Sequence, residues 1–141
     1  MKTEKTYLSW SDFDLYAKSI ATFYSDQDIK LIVGLSRGGL PLAVTLSNAM
    51  NIPMVPLEWQ TRDGSVQDEK KLIELNKQYN SREVLFVDDL CDSGETIRQI
   101  QSWFDRPNFA VLIDKMFDVG LVQYAPVVDK SDSWIVFPWE I

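Results

Sequence analysis

The sequence predicts an α/β fold: a single domain with a central parallel sheet, flanking helices and a short C-terminal hood. Three observations carry that prediction. Short apolar runs alternate along the chain with segments of helical period, the pattern of βαβ units. Two of those runs end in small-residue turns that open the following helical segment, Gly34 to Gly39 and Asp92 to Gly94. No internal repeat or low-complexity linker interrupts the 141 residues, so one domain is expected over 1–141.

Taken in order, Trp10, Phe13, Ala17, Ile20, Ala21 and Tyr24 recur at helical spacing. Ser11, with Asp14 three residues later, offers that helix an N-cap. Leu31-Ile32-Val33 reads as a buried strand running into the turn Gly34 to Gly39. Pro41 suits the first turn of the next helix, and Leu42, Leu46 and Met50 mark one face of it. Met54 to Trp59 is the second strand. Gln60 to Asp68, with Arg62, Asp63 and Gly64 and few apolar residues, reads as a mobile loop, bounded at about residues 60–71.

Lys70 to Asn80 fits either a helix or the return strand of a hairpin. Val84 to Val87 is the third strand, Ile97, Ile100 and Phe104 are the inward face of the next helix, and Phe109 to Ile113 is the fourth strand. The last segment packs Trp134, Phe137 and Trp139 around Pro138, too apolar to stand in solvent. It is expected to fold over the sheet as a hood spanning about residues 115–141. In parallel sheets ligands bind at the carboxyl ends of the strands. Both small-residue turns lie at such ends, so two loops from separate strands should meet on one rim.

Composition narrows the chemistry. With 45% hydrophobic and 25% charged residues, and no apolar run long enough for a bilayer, the chain reads as a globular protein without a transmembrane segment. The polar start, Met1 to Lys5, lacks the apolar core of a signal peptide, so a cytoplasmic location is expected. A net charge of −7 argues against nucleic acid as a partner. The chain has no histidine, which removes imidazole acid–base chemistry and Ser-His-Asp triads. Its one cysteine, Cys91, excludes an internal disulfide and reads as a small buried hydrophobe. Catalysis must rest on carboxylates, cations, hydroxyls and a metal ion.

The segment Val84 to Thr96, VLFVDDLCDSGET, concentrates those groups. A buried run delivers Asp88 and Asp89, whose side chains point to opposite sides if they continue the strand. Asp92-Ser93-Gly94 then turns into a helix at Thr96, where backbone N–H groups favour phosphate. A phosphorylated sugar carrying Mg2+ is one of few ligands that needs paired acids and a phosphate cradle within a dozen residues.

This segment resembles the signature of the type I phosphoribosyltransferase family, which binds 5-phosphoribosyl-1-pyrophosphate (PRPP). Tyr7-Leu8-Ser9-Trp10, Gly34-Leu35-Ser36-Arg37-Gly38-Gly39, Lys115 and Trp134-Ile135-Val136-Phe137-Pro138-Trp139-Glu140 extend the resemblance to the small bacterial xanthine-guanine phosphoribosyltransferases. The pieces occur in that family's order and span nearly the whole chain.

The resemblance implies roles residue by residue. Asp88 and Asp89 would serve the ribose hydroxyls and Mg2+. Asp92, Ser93, Gly94, Glu95 and Thr96 would cradle the 5′-phosphate, although Glu95 departs from the glycine or lysine common there. An acid also suits a helix start, so Glu95 should point outward. Asp92 would also approach N7 of a purine as the proton-transferring group; an ordinary N-cap is the competing reading. Ser36, Arg37 and Gly38 would bind pyrophosphate, in a loop where the family carries a non-proline cis peptide. Arg62, Lys70 or Lys71 would close over it.

Lys115 would donate to the base's O6 and Trp134 would stack on the ring. Ile135 would offer its backbone carbonyl, and Glu140 would accept from a 2-amino group. Phe137 and Trp139 read as core. The activity implied is purine salvage: transfer from PRPP to N9 of guanine or xanthine in a homo-oligomer, a tetramer or dimer. The alternatives are a hypoxanthine-preferring enzyme and a non-catalytic PRPP sensor.

Overall fold

The computed structural model describes residues 4–60 and 67–140. The order of elements is β1 (Lys5–Tyr7), α1 (Trp10–Tyr24), β2 (Leu31–Ser36), α2 (Leu40–Met50), β3 (Met54–Glu58), α3 (Glu69–Gln78), β4 (Val84–Cys91), α4 (Glu95–Gln101), β5 (Asn108–Asp114), β6 (Val127–Val128) and β7 (Trp134–Val136). Five strands form the central sheet in the order β3-β2-β4-β5-β6, every neighbouring pair parallel.

Alternation along the strands divides the core in two. Ile32, Leu85, Val87 and Leu112 face α1 and α2, packing on Phe13, Ala17, Ile20, Leu42 and Leu46. Val33, Leu35, Phe86 and Val111 face α3 and α4, packing on Leu72, Leu75, Ile97, Ile100 and Phe104. Strands buried on both faces must be apolar throughout, which is why LIV and VLF stand out in the sequence.

The chain steps outward from β2 to β3, then crosses back to place β4 on the other side of β2. The β2/β4 boundary is therefore the topological switch point, where the loops leaving neighbouring strands diverge and open a crevice. Register puts Gly34 of β2 beside Val87 of β4, so both strands deliver their loops at the same height.

Several local expectations are corrected. The N-cap of α1 is Ser9, not Ser11: its hydroxyl accepts from Asp12 N at 3.0 Å while Asp12 accepts from Ser9 N at 2.9 Å, a reciprocal capping box. The same spacing occurs two residues later as Ser11 and Asp14, and Asp14 instead pairs with Lys18 along the helix. Trp10, the first residue of the helical-period series, opens the helix and stays largely exposed. Residues 69–78 are a helix rather than a return strand: Asp68 caps it through Lys71 N, and Leu72 and Leu75 bury its inner face.

The expected mobile loop at about 60–71 is only partly open to comparison, because residues 61–66, Arg62 among them, lie outside the described residues. Its base is tied by the Trp59–Gln67 bridge and by Asp68 N donating to Glu58 O at 2.9 Å. Its far end, from Glu69, already belongs to α3.

The hood is built by two distant strands. β7 pairs with β1 in a separate two-stranded parallel sheet, Lys5 opposite Trp134 and Tyr7 opposite Val136. Phe137 and Trp139 stack with ring centroids 5.1 Å apart, and Trp139 meets Phe13 edge-on at 5.5 Å. These two aromatics are core that fastens the hood to α1.

Candidate active site

β4 runs on to Cys91, so Asp88 and Asp89 lie within the strand rather than after it. Asp89, two residues beyond Val87, keeps to the side of α2 and meets the β2–α2 loop. A Cβ placed on Gly38 would fall 2.7 Å from Cγ of Asp89 and collide with its Oδ2. Gly39 is hemmed in by backbone instead, with Val87 O at 2.5 Å and Leu35 O at 2.8 Å from a Cβ there. The loop can lie against β4 only because both positions are glycine. The Ser36–Arg37 peptide bond is cis. Arg37 stands exposed at the outer edge of this loop.

Burial pushes the carboxyl of Asp88 well above the usual aspartate range, and the neighbouring Asp89 charge adds to the effect. Burial likewise raises Asp89, with the charge of Glu140 contributing. Asp88 Oδ1 accepts from Asp89 N at 2.8 Å, which ties the two together. Two acids this close, drawn out of water, call for a cation. Mg2+ commonly takes one or two carboxylates and completes its shell with water and substrate oxygens. Among the described residues no group of three or more His, Cys, Asp or Glu side chains is placed to hold a metal ion.

Downstream, Gly94 is the N-cap of α4 at φ 78°, with no side-chain cap. Asp92 is therefore not the N-cap, and its exposed carboxylate is left to the cavity it borders. Arg98 Nη1 donates to Ser93 O at 3.0 Å and holds the loop from the helix side. Glu95 is exposed, and its Oε1 lies 3.5 Å from Gln99 Nε2, back along the helix. Thr96 is half-buried on the cavity wall.

Cys91 is buried, and its thiol is pushed up to about 12, chiefly by burial and then by Asp114. It stays protonated at neutral pH and is no nucleophile.

Residues 88–97, Lys115 and the hood together enclose a cavity of about 580 Å3. Lys115 sits one residue past β5, its N–H bonded to Cys91 O at 2.9 Å. Its side chain is only 10% exposed, with Nζ donating to Ser131 O at 2.7 Å and 3.8 Å from Asp129 Oδ2. Trp134, 60% exposed, also lines the cavity.

Trp134 N donates to Glu4 O at 2.7 Å and Val136 O accepts from Leu8 N at 2.9 Å, so these β7 residues spend their backbone groups on β1. Strand alternation then turns the N–H and C=O of Ile135 toward the other edge. Ile135 borders the cavity. Glu140 borders it too, although its Oε1 is already engaged by Phe137 N at 2.9 Å.

The structure thus brings Asp88, Asp89, residues 92–96, Lys115, Trp134, Ile135 and Glu140 around one cavity. Ser36, Arg37 and Gly38 adjoin it through Asp89 rather than lining it. Lys71, expected near the pyrophosphate loop, donates to Pro56 O at 2.6 Å and is held at β3. Asp129 was missed by the reading of the sequence. Its signal was there as Asp129-Lys130-Ser131, an acid followed two residues on by serine, the pattern of a side-chain-closed turn.

A parallel α/β sheet with acids, a glycine-hinged phosphate-type loop and a cavity at the switch point defines a class: proteins that bind phosphorylated sugars or nucleotides at strand carboxyl ends. Residues 11–141 match the phosphoribosyl transferase domain, and the chain belongs to that family. A xanthine-guanine phosphoribosyltransferase of Cereibacter sphaeroides is 29% identical over 118 residues, covering 79% of this chain and 70% of that protein. A purine phosphoribosyltransferase from Pyrococcus horikoshii superposes with a TM-score of 0.76 at 26% identity, covering 99% of this chain and 95% of the other. A Neisseria gonorrhoeae protein solved with bound ppGpp superposes at 0.74 with 20% identity, covering 100% and 92%, a likeness of fold alone.

Proposed function

We propose that the chain is a Mg2+-dependent purine phosphoribosyltransferase that moves the 5-phosphoribosyl group of PRPP to N9 of guanine or xanthine and releases pyrophosphate. The observation that carries this reading is the apposition of Gly38 and Asp89. It sets a cation-bearing glycine loop and a strand of paired acids at one edge of the cavity, the arrangement a sugar diphosphate requires. The names of the Cereibacter and Pyrococcus relatives favour a purine as acceptor.

Residues 92–96 hold the 5′-phosphate through loop N–H groups and the hydroxyls of Ser93 and Thr96. Ser36, Arg37 and Gly38, with Arg62 from the neighbouring loop, receive the pyrophosphate. Mg2+, when bound at Asp88 and Asp89, supplies positive charge beside the departing diphosphate. Lys115 donates to O6 of the base, Trp134 stacks on its plane, Ile135 offers its backbone carbonyl and the free oxygen of Glu140 faces the 2-amino side.

As the bond from C1′ to the pyrophosphate oxygen lengthens, positive charge develops on the ribose, and the nearby carboxylates stabilise it. N9 supplies the electron pair for the new bond to C1′, and Asp92 takes the proton that leaves N7. We place this work in the cytoplasm, in a homo-oligomer, tetramer or dimer, which a solution mass measurement checks.

The test is to incubate pure protein with PRPP and guanine, xanthine, hypoxanthine or adenine, with and without Mg2+. Nucleotide should form from the 6-oxopurines, fastest with guanine or xanthine, and only with Mg2+. If none of the oxopurines yields nucleotide, the assignment is wrong.

A further inference from the structure

We infer that Asp129 is a positioning residue that fixes the Lys115 ammonium at the cavity wall and thereby sets the selection of the base's 6-oxo group. The inference rests on the base-binding role proposed for Lys115. A lysine carries its charge on a flexible four-carbon stem, so a lysine that must present one N–H to a ligand needs anchors for the others.

Both anchors of Lys115 trace to Asp129. Its Oδ2 stands 3.8 Å from Nζ and supplies the opposing charge. Its Oδ1 accepts the N–H of Ser131 at 2.9 Å and the hydroxyl of Ser131 at 2.6 Å, closing the turn that aims the Ser131 carbonyl at Nζ, 2.7 Å away. The N–H of Asp129 donates to Asp114 O at 3.1 Å, which fastens this turn to the end of β5 next to Lys115 itself. Ser131 Oγ in turn accepts from Ser133 N at 3.2 Å, the residue before Trp134. One carboxylate thus registers the cation against the segment that carries the stacking ring. Of the three ammonium hydrogens, one goes to Ser131 O and one faces Asp129, leaving the third for the cavity.

Asp129→Asn tests this with little disturbance, because an amide oxygen can still close the Ser131 turn while the charge is lost. Two measurements decide. The first needs no activity: competitive acetylation of the unliganded protein, read by peptide mass spectrometry. Lys115 should label about fivefold or more faster in Asp129→Asn than in wild type, with exposed Lys77 unchanged as the internal control.

The second is steady-state kinetics. KM for guanine should rise about tenfold with KM for PRPP unchanged, and the same substitution should add nothing in a Lys115→Met background. Equal acetylation rates overturn the inference. So does a loss that persists in the Lys115→Met background, since that marks a purely structural role. If wild type transfers to no oxopurine, the functional assignment falls while the acetylation result still decides whether Asp129 holds Lys115.

Discussion

Gly38 lies flush against the carboxylate of Asp89, with no room for a methyl group between them: a Cβ there would sit 2.7 Å from Asp89 Cγ. The neighbouring Gly39 presses on backbone oxygens instead. The two glycines should therefore fail differently.

Gly38→Ala should displace a side chain and leave the fold intact. Because a misplacement of about 1 Å at reacting groups can cost on the order of 10²-fold, kcat/KM should fall by about that factor with the thermal midpoint nearly unchanged. Gly39→Ala must move strand backbone, and should cost about 1–3 kcal/mol of stability in denaturant titration. Matching losses of stability in the two variants would contradict the separation.

Asp92 borders the cavity while Gly94 holds the N-cap position, so no helix depends on Asp92 for capping. Asp92→Asn should leave stability unaltered and lower kcat by about 10²–10⁴-fold, the usual worth of a general acid–base group, with little change in KM for PRPP. Stopped-flow or steady-state assays on the purified variant are sufficient.

The aromatics of the hood divide by exposure. Trp134 is 60% exposed and borders the cavity, whereas Phe137 is 3% exposed and stacked on Trp139. Trp134→Ala should weaken base binding by about 1–3 kcal/mol, the measured worth of stacking a base on an aromatic ring, with folding undisturbed. Phe137→Ala should destabilise the protein by about 3–5 kcal/mol through an unfilled core site. Isothermal binding of nucleotide product and chemical denaturation separate the two.

At the opposite end of the sheet, Lys30 Nζ pairs with Glu83 Oε2 at 2.6 Å, just before β2 and β4 begin. The hydrogen bond to Lys30 holds the Glu83 carboxyl below the usual glutamate range, and that bond in turn raises Lys30. Glu83's contribution to stability is thus present above the ordinary carboxylate range and lost as pH falls through its lowered value. Lys30's is present at neutral pH and lost as pH rises through its raised one. Glu83→Gln, which keeps the cap on Asn80 N, should lower the melting temperature at neutral pH and converge with wild type in acid. Turnover per folded molecule should not change.

What the sequence made legible was local. Leu31 to Val33, Val84 to Val87 and Phe109 to Ile113 announce strands because burial on both faces leaves them no polar position. The Asp88 to Thr96 segment announces the site because its acids, small residues and helix start are contiguous. Illegible parts depend on distance or on degenerate signals.

Nothing in Lys5-Thr6-Tyr7 foretells a partner at Trp134 to Val136, since three residues are too few to show a period. Ser9 and Ser11 are each followed by an aspartate three residues on, so the sequence offers two equal capping patterns, of which the helix uses Ser9. The pairing of Asp129 with Lys115 joins residues fourteen positions apart on separate segments, which no local pattern announces.

The pairing of Lys5–Tyr7 with Trp134–Val136 joins segments some 129 positions apart along the polypeptide. Such a contact forms late, after the loop it closes has been ordered by everything between. The hood should accordingly be the last part assembled during synthesis and the first to fray, while the β4–α4 side, built from consecutive units, persists. Amide exchange that is fast in Trp134–Val136 and slow in Val84–Val87 would be the signature of a hood that opens while the sheet beneath it stays closed.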